Sequence, residues 1–241
     1  MTSLIKRFEK NSKGRDLIVG DIHGHFTLLQ SALDKINFNP DTDRLFSVGD
    51  LVDRGPESHQ AINWIRKHWF NAVCGNHEQM AIDWVDPDAY KDVGWYYKRN
   101  GGSWNIENTV EQQTAYADAF LQLPLAIEIE TDNGLVGVVH AEPTEDWGTL
   151  RDILSRPHVI NEYEFQRLRE RMQWERRRIN NQDSRPVDGV RAVVVGHTPS
   201  TKPIQVGNVY YIDTAAWHSS GTGFTFLDAA TLETVTVANP T

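Results

Sequence analysis

The chain has 241 residues, 39% hydrophobic and 24% charged, which is ordinary globular usage without repeats or low-complexity tracts. Its formal net charge of -9 argues against an extended nucleic-acid duplex as a partner. Nowhere do about eighteen apolar residues run together, so no transmembrane helix is expected.

The length suits one domain, 1–241, with room for a small insertion. The opening stretch MTSLIKRFEKNSKGR lacks the apolar run of a signal peptide. The single cysteine, Cys74, cannot form an internal disulfide. Both observations fit a reducing cytoplasm. Cys74 lies within the apolar run FNAVCG and reads as a small core residue, not a nucleophile.

Asp16 to Gly20 is an apolar run of strand length. Phe26, Leu29, Leu33 and Ile36 follow at helical spacing, until NPDTD breaks the pattern. RLFSV is a second strand, and Pro56 suits the first turn of a second helix whose inner face would be Ala61, Ile62, Ile65 and Trp69. FNAVC is a third strand. This β-α-β-α-β order predicts a parallel sheet covered by helices.

Residues 79–120, rich in Trp and Tyr and interrupted by NGGSW, predict a helical cap inserted over the sheet. LAIEIE and LVGVVH, joined through Thr131-Asp132-Asn133-Gly134, predict a hairpin. A charged helical region follows over about 149–178. Then come RAVVVG, a pair of strands around Gly207-Asn208, and the final strands FTFLD and ETVTVA. Strand content rises toward the C-terminus, which predicts a second sheet. The expected fold is α/β, a four-layer sandwich of two mixed sheets with helices outside.

Five apolar runs end in metal-ligand residue types: Asp21-Ile22-His23, Asp50, Asn76-His77, His140 and His197. In open α/β sheets ligands bind beyond the carboxyl ends of the strands. In an extended segment, Asp21 and His23 would face the same side and reach one ion together. Asp50 can bridge two ions, and Asn76, His140 and His197 can complete a second site. Mixed oxygen and nitrogen donors suit Mn, Fe or Zn better than calcium.

GDIHGH, GDLVDRGPES, GNHE, VHAE and GHTP together resemble the signatures of the calcineurin-like metallophosphoesterases. GDLVDRG resembles the phosphoprotein phosphatase branch, and the length is similar to bacterial and bacteriophage serine/threonine phosphatases. YYIDTAAW is a further family-like echo. The resemblance implies two divalent ions, commonly Mn, with iron and zinc as alternatives. Asp21 and His23 would hold the first, Asp50 would bridge, and Asn76, His140 and His197 would hold the second. Where many relatives carry Ala-Gly or Gly-Gly after the fourth-strand histidine, this chain has Ala141-Glu142.

Within that resemblance Arg54 is expected to grip phosphoryl oxygens with its planar fork. Asp53 is expected to orient His77 as a general acid. A helix cap before Pro56 is the competing reading of Asp53. Trp174-Glu175-Arg176 resembles the segment by which relatives place a second phosphate-binding arginine, so Arg176 is the candidate and Arg177 its alternate register. The other arginines of 167–178 read mainly as a solvated helix face. His25, His59, His68, His158 and His218 receive no role.

The reaction implied is attack on phosphorus by a metal-bridging hydroxide, without a side-chain phosphate intermediate. The expected substrate is a phosphoprotein carrying phosphoserine or phosphothreonine, with phosphotyrosine as a further candidate. A symmetric dinucleoside polyphosphate is the alternative substrate. A non-catalytic metal-binding scaffold is the alternative of another class.

Overall fold

The computed structural model describes residues 4–89 and 92–239. Two mixed sheets face each other. The first is six-stranded, in the order β1 (Ile5–Phe8), β5 (Ala126–Thr131), β6 (Gly134–Val138), β7 (Ala192–Val195), β9 (Val209–Tyr211) and β8 (Ile204–Val206). The second is five-stranded, in the order β11 (Thr234–Ala238), β10 (Gly223–Asp228), β2 (Asp16–Val19), β3 (Arg44–Ser47) and β4 (Phe70–Ala72). β2, β3 and β4 run parallel, as do β6, β7 and β9.

The alternation of side chains along the strands makes the layers. Ile18, Phe46, Val48 and Val73 from one sheet meet Ile127, Ile129, Val136, Val138 and Val194 from the other in a dry inter-sheet core. Their neighbours face outward. Leu17, Val19 and Leu45 pack with Phe26, Leu29 and Leu33 of α1 (Phe26–Lys35) and with Ala61 and Trp64 of α2 (Ala61–Ile65). On the opposite face Val193 and Val195 pack with Trp147, Leu150 and Leu154 of α7 (Trp147–Ser155) and Met172 of α8 (Glu162–Trp174). Trp147 lies over Gly137, and its indole donates to the buried Glu128 carboxylate at 2.7 Å. The four-layer expectation holds.

Some elements differ from expectation. β1 was not foreseen; it pairs parallel with β5 at the sheet edge. The second helix starts at Ala61, after a 3-10 turn over Ser58–Gln60, not at Pro56. The Glu57 amide donates to the Gly24 carbonyl at 2.9 Å and the Asp53 amide to Ser58 Oγ at 2.8 Å, so this stretch is folded back as a loop. Trp64, not Ile62 or Ile65, is the buried large residue of that helix, and Trp69 lies beyond its end.

Between β4 and β5 lie four helices, α3 (Asn76–Val85), α4 (Val93–Arg99), α5 (Ser103–Ile106) and α6 (Val110–Phe120). Asn76, His77 and Glu78 form the first turn of α3. α9 (Arg177–Asn181) follows α8. No helix of the described residues is long and apolar enough to cross a membrane. Cys74 is buried as a free thiol, and burial pushes its pKa up.

Candidate functional site

The site lies beyond the carboxyl ends of β2, β3, β4, β6 and β7. Asp21 and His23 follow β2, Asp50 follows β3, and Asn76 opens α3 after β4. His140 and His197 follow β6 and β7 of the other sheet. All six side chains are buried. Glycines precede several of these residues because space is lacking: a Cβ at Gly196 would stand 2.0 Å from Asp21 Oδ1, and one at Gly75 would stand 2.3 Å from Asp50 Oδ1.

The backbone at the site is unusual. His23, Asp50, Asp53, Arg54 and His197 all take left-handed φ, between 44° and 69°. Such conformations cost of order 1–3 kcal/mol each in non-glycine residues and cluster at functional sites. His23 therefore does not continue an extended strand, and the same-side argument for Asp21 and His23 fails. The left-handed turn brings its imidazole beside Asp21 instead, with Nε2 3.9 Å from Asp21 Oδ2 and 3.5 Å from Asp50 Oδ2. The His23 and Ile22 amides both donate to the Asp50 carbonyl, which locks the two strand exits together.

Around Asp50 Oδ1 a second group gathers. His140 Nε2 is 3.3 Å away. Asn76 Oδ1 lies 2.8 Å from His140 Nε2 and 3.0 Å from His197 Nδ1. The two groups meet at the one Asp50 carboxylate. His23, Asp50 and His77, and Asp50, His140 and His197, each present ligand atoms within 4.8 Å of one another.

The tautomers are set from outside. His23 Nδ1 donates to the Val52 carbonyl at 2.9 Å, His140 Nδ1 to the Val48 carbonyl at 2.8 Å, and His197 Nε2 to the Trp174 carbonyl at 3.1 Å. The His23 and His197 rings therefore turn a nitrogen lone pair toward the site, whereas at His140 burial is outweighed by the Asp50 carboxylate, which raises the ring's pKa. Carboxylate and amide oxygens complete the lining. Lone pairs packed this closely repel unless a cation lies between them, so this set of residues fits a pair of divalent ions.

The electrostatics agree. Burial, with Asp213 and Asp50 nearby, raises the Asp21 carboxyl well above its ordinary value. Burial also works against the Asp50 charge, but His140, His77 and His23 outweigh it and hold that carboxyl well below the ordinary range. Burial, and then His77, keeps His23 far below its usual pKa. Burial and His140 push His197 down to about 2. Both rings are thus neutral at physiological pH.

Three further residues reach this floor. Asp53 Oδ2 lies 2.7 Å from His77 Nδ1, and His77 Nε2 points inward, 3.7 Å from Asp50 Oδ2. The Asp53 side chain caps no helix. Arg54 donates to His23 Nε2 at 2.8 Å and to His77 Nε2 at 3.1 Å, with its guanidinium 4.2 Å from the Trp217 ring centre. Arg176, at the mouth, donates to the His197 carbonyl at 3.0 Å. Arg177 opens α9 and is exposed. His59, His68, His158 and His218 are exposed outside the clusters, while His25 is half-buried and bonds the His23 carbonyl through Nδ1 at 2.7 Å.

Glu142 does not face the mouth as an added charge. Its Oε2 accepts the Arg178 amide at 3.0 Å at the start of α9, and Oε1 lies 3.7 Å from Arg171.

Sequence reasoning passed over Glu78 and Asp213. Glu78 accepts from the Asp50 amide at 2.9 Å, the Leu51 amide at 2.7 Å and the Gly75 amide at 2.9 Å, so it pins the Asp50 backbone. Burial and the nearby Asp50 charge raise its pKa to about 7. Asp213 is buried beside the floor with Oδ2 unpartnered among the described residues, and burial raises it to about 6. The fourth letter of GNHE and the acid of YYIDTAAW were the available signals.

The family model described as calcineurin-like phosphoesterase matches residues 15–231. The chain is 31% identical over 218 residues to serine/threonine-protein phosphatase 1 of Salmonella typhimurium, covering 88% of this chain and 92% of the relative. It is 33% identical over 212 residues to serine/threonine-protein phosphatase 2 of Escherichia coli, covering 86% and 90%. A 63-residue segment is 46% identical to the symmetrical bis(5'-nucleosyl)-tetraphosphatase of Erwinia tasmaniensis, covering 25% of this chain and 23% of that one. Among solved structures, a protein serine/threonine phosphatase from Saccharomyces cerevisiae superposes with a TM-score of 0.59 at 17% identity, covering 95% of this chain and 78% of that one. That likeness speaks to the fold alone. With the family model matched over most of its length and phosphatases aligned nearly end to end, this chain belongs to the calcineurin-like phosphoesterases.

Proposed function

We propose that the protein is a dinuclear metal-dependent phosphoprotein phosphatase acting on phosphoserine and phosphothreonine. The observation that carries this reading is the meeting of two donor groups at the single Asp50 carboxylate, beside Arg54 and the Asp53–His77 pair. The near full-length likeness to bacterial serine/threonine phosphatases supports the substrate class.

Asp21 and His23 would hold one ion, Asn76, His140 and His197 the other, and Asp50 both. Mn is the first candidate, with iron and zinc next. The chemistry such a pair supplies is activation of water near neutral pH and neutralisation of phosphoryl charge. Arg54 turns its fork from the ring nitrogens of His23 and His77 to the phosphoryl oxygens. Arg176 binds the phosphoryl group from the mouth. Once Arg54 has turned away from Nε2, His77 acts in its doubly protonated form: Nδ1–H stays on Asp53 and the Nε2 proton goes to the departing serine or threonine oxygen, leaving the neutral ring. A cytoplasmic setting suits the free Cys74 thiol.

The test is a substrate panel with added Mn, with and without chelator. Phosphoserine and phosphothreonine peptides should turn over fastest and chelator should abolish turnover. A second reading, hydrolysis of a symmetric dinucleoside tetraphosphate, is favoured by the 46% identity of the shorter segment. Turnover of diadenosine tetraphosphate alone would replace the first reading by the second.

A further inference from the structure

We propose that Trp104, delivered by the helical insertion, is a positioning residue for the Asp53–His77 pair. The inference rests on the phosphatase reading for its kinetic consequence, but its geometry stands apart from it. Asp53 is fully buried, and its two oxygens are divided between two donors. Oδ2 takes the His77 Nδ1 proton at 2.7 Å, and Oδ1 takes the Trp104 indole proton at 2.7 Å. A carboxylate held at one oxygen only could swing about its Cβ–Cγ bond. Held at both, its plane is fixed and Oδ2 stays on the imidazole. That in turn keeps the Nδ1–H on Asp53 and fixes where Nε2 points.

The insertion is built to deliver this contact. The Trp104 ring stands edge-on against Tyr116 of α6, with centroids 4.8 Å apart and planes at 83°. Just upstream, Gly101 takes φ +105°, and a Cβ there would stand 2.7 Å from the Arg54 backbone nitrogen. The NGGSW turn thus presses on Arg54 while its tryptophan grips Asp53. Those two neighbours carry left-handed φ of 66° and 69°. The cap therefore holds the loop that carries both the phosphate fork and the acid's partner, which bare packing of an aromatic ring would not require.

Trp104→Phe leaves a smaller aromatic ring beside Tyr116 and removes the N–H donor together with part of the bicyclic indole. Nitrogen-15 spectra of metal-free protein should show the His77 Nδ1 proton hydrogen-bonded and slow to exchange in wild type, and faster to exchange in the variant. With Mn, turnover of an alkyl phosphomonoester should fall about tenfold, a part of the ~10²–10⁴ that a positioned acid contributes. Turnover of an activated aryl ester should fall less than about twofold to threefold, and KM should hold for both. An unchanged His77 spectrum together with an unchanged alkyl-to-aryl ratio would overturn the proposal.

If Trp104→Phe does not fold, the wild-type indole proton decides. Trp104 Nε1–H should exchange slowly, and its resonance should move in Asp53→Asn while the other indole resonances stay. Free exchange of that proton would equally overturn the assignment. A wild type inactive on every phosphoester would defeat the phosphatase reading and leave the spectra to decide the positioning role.

Discussion

Asp50 Oδ1 lies 3.3 Å from His140 Nε2, and this contact joins the two sheets at the floor of the site. Asp50 ends a strand of the five-stranded sheet, His140 a strand of the six-stranded one. Removing the shared carboxylate should therefore damage both halves together. Asp50→Asn is expected to lower bound Mn from two ions per chain to one or fewer, measured by metal analysis after dialysis, with turnover lost at least a hundredfold. Full occupancy of both positions would count against bridging.

Metal should act on stability as well as activity. An ion that binds only the folded chain stabilises it by about 2.7 kcal/mol at a free concentration 100 times its Kd. Thermal unfolding with Mn and with chelator should differ by several degrees, and the difference should shrink in Asp50→Asn. Identical melting curves would mean that the donors do not take up Mn.

Gly196 offers a steric test. Any Cβ there meets Asp21 Oδ1 at 2.0 Å. Gly196→Ala should displace the Asp21 carboxylate and weaken the ion shared by Asp21 and His23, with little change at the Asn76, His140 and His197 position. Two-step Mn titration by calorimetry would separate them. An unaltered first site would show that the strand exits can part more easily than the packing implies.

The two arginines should separate from their neighbour. Arg54→Ala and Arg176→Ala are each expected to raise KM for a phosphopeptide tenfold or more, about 1.4 kcal/mol, whereas Arg177→Ala should leave it within twofold. The reverse order for Arg176 and Arg177 would move the contact by one residue.

Far from the site, Asp43 makes an acid-sensitive anchor. Burial tends to raise its carboxyl, but hydrogen bonds from the Arg15 side chain and from the Arg15 and Asn39 amides outweigh it and lower the pKa below 3.8. The unfolded chain thus takes up this proton at higher pH than the folded one. The stabilisation is full above about pH 4 and is lost as pH falls through the lowered folded value. Asp43→Asn should cost about 1–3 kcal/mol in urea unfolding at pH 7 and flatten the acid limb of stability against pH. An acid limb of the same slope would remove Asp43 from that transition.

Much of this site is local in sequence, which is why it could be read there. An apolar run followed at once by Asp, Asn or His marks β2, β3, β4, β6 and β7 without reference to the rest of the chain. The hairpins at Gly134 and Gly207 are local in the same way, since both glycines take positive φ. β1 is hard to read because Lys6 and Arg7, both exposed on an edge strand, break the apolar run. The first turn of α3 was hidden because Asn76-His77-Glu78 read as a strand exit. The left-handed turn at His23 has no sequence mark, as histidine is no glycine. Trp104 meets Asp53 across 51 positions, and Glu142 turns from the mouth only because Arg171 and the start of α9 are there to receive it. These are tertiary facts, and no window of residues contains them.

The clustered donors ride on strand ends and the adjoining first helical turn, whereas the rim residues Trp104 and Arg176 come from α5 and from the segment between α8 and α9. Floor and rim thus come from separate parts of the fold. Lengthening or exchanging the rim would leave the inter-strand spacing, and with it the distance between the two donor groups, untouched. A lineage could retune which phosphoester enters while the cleavage apparatus stays constant, so long as each new rim again supplies a grip on Asp53.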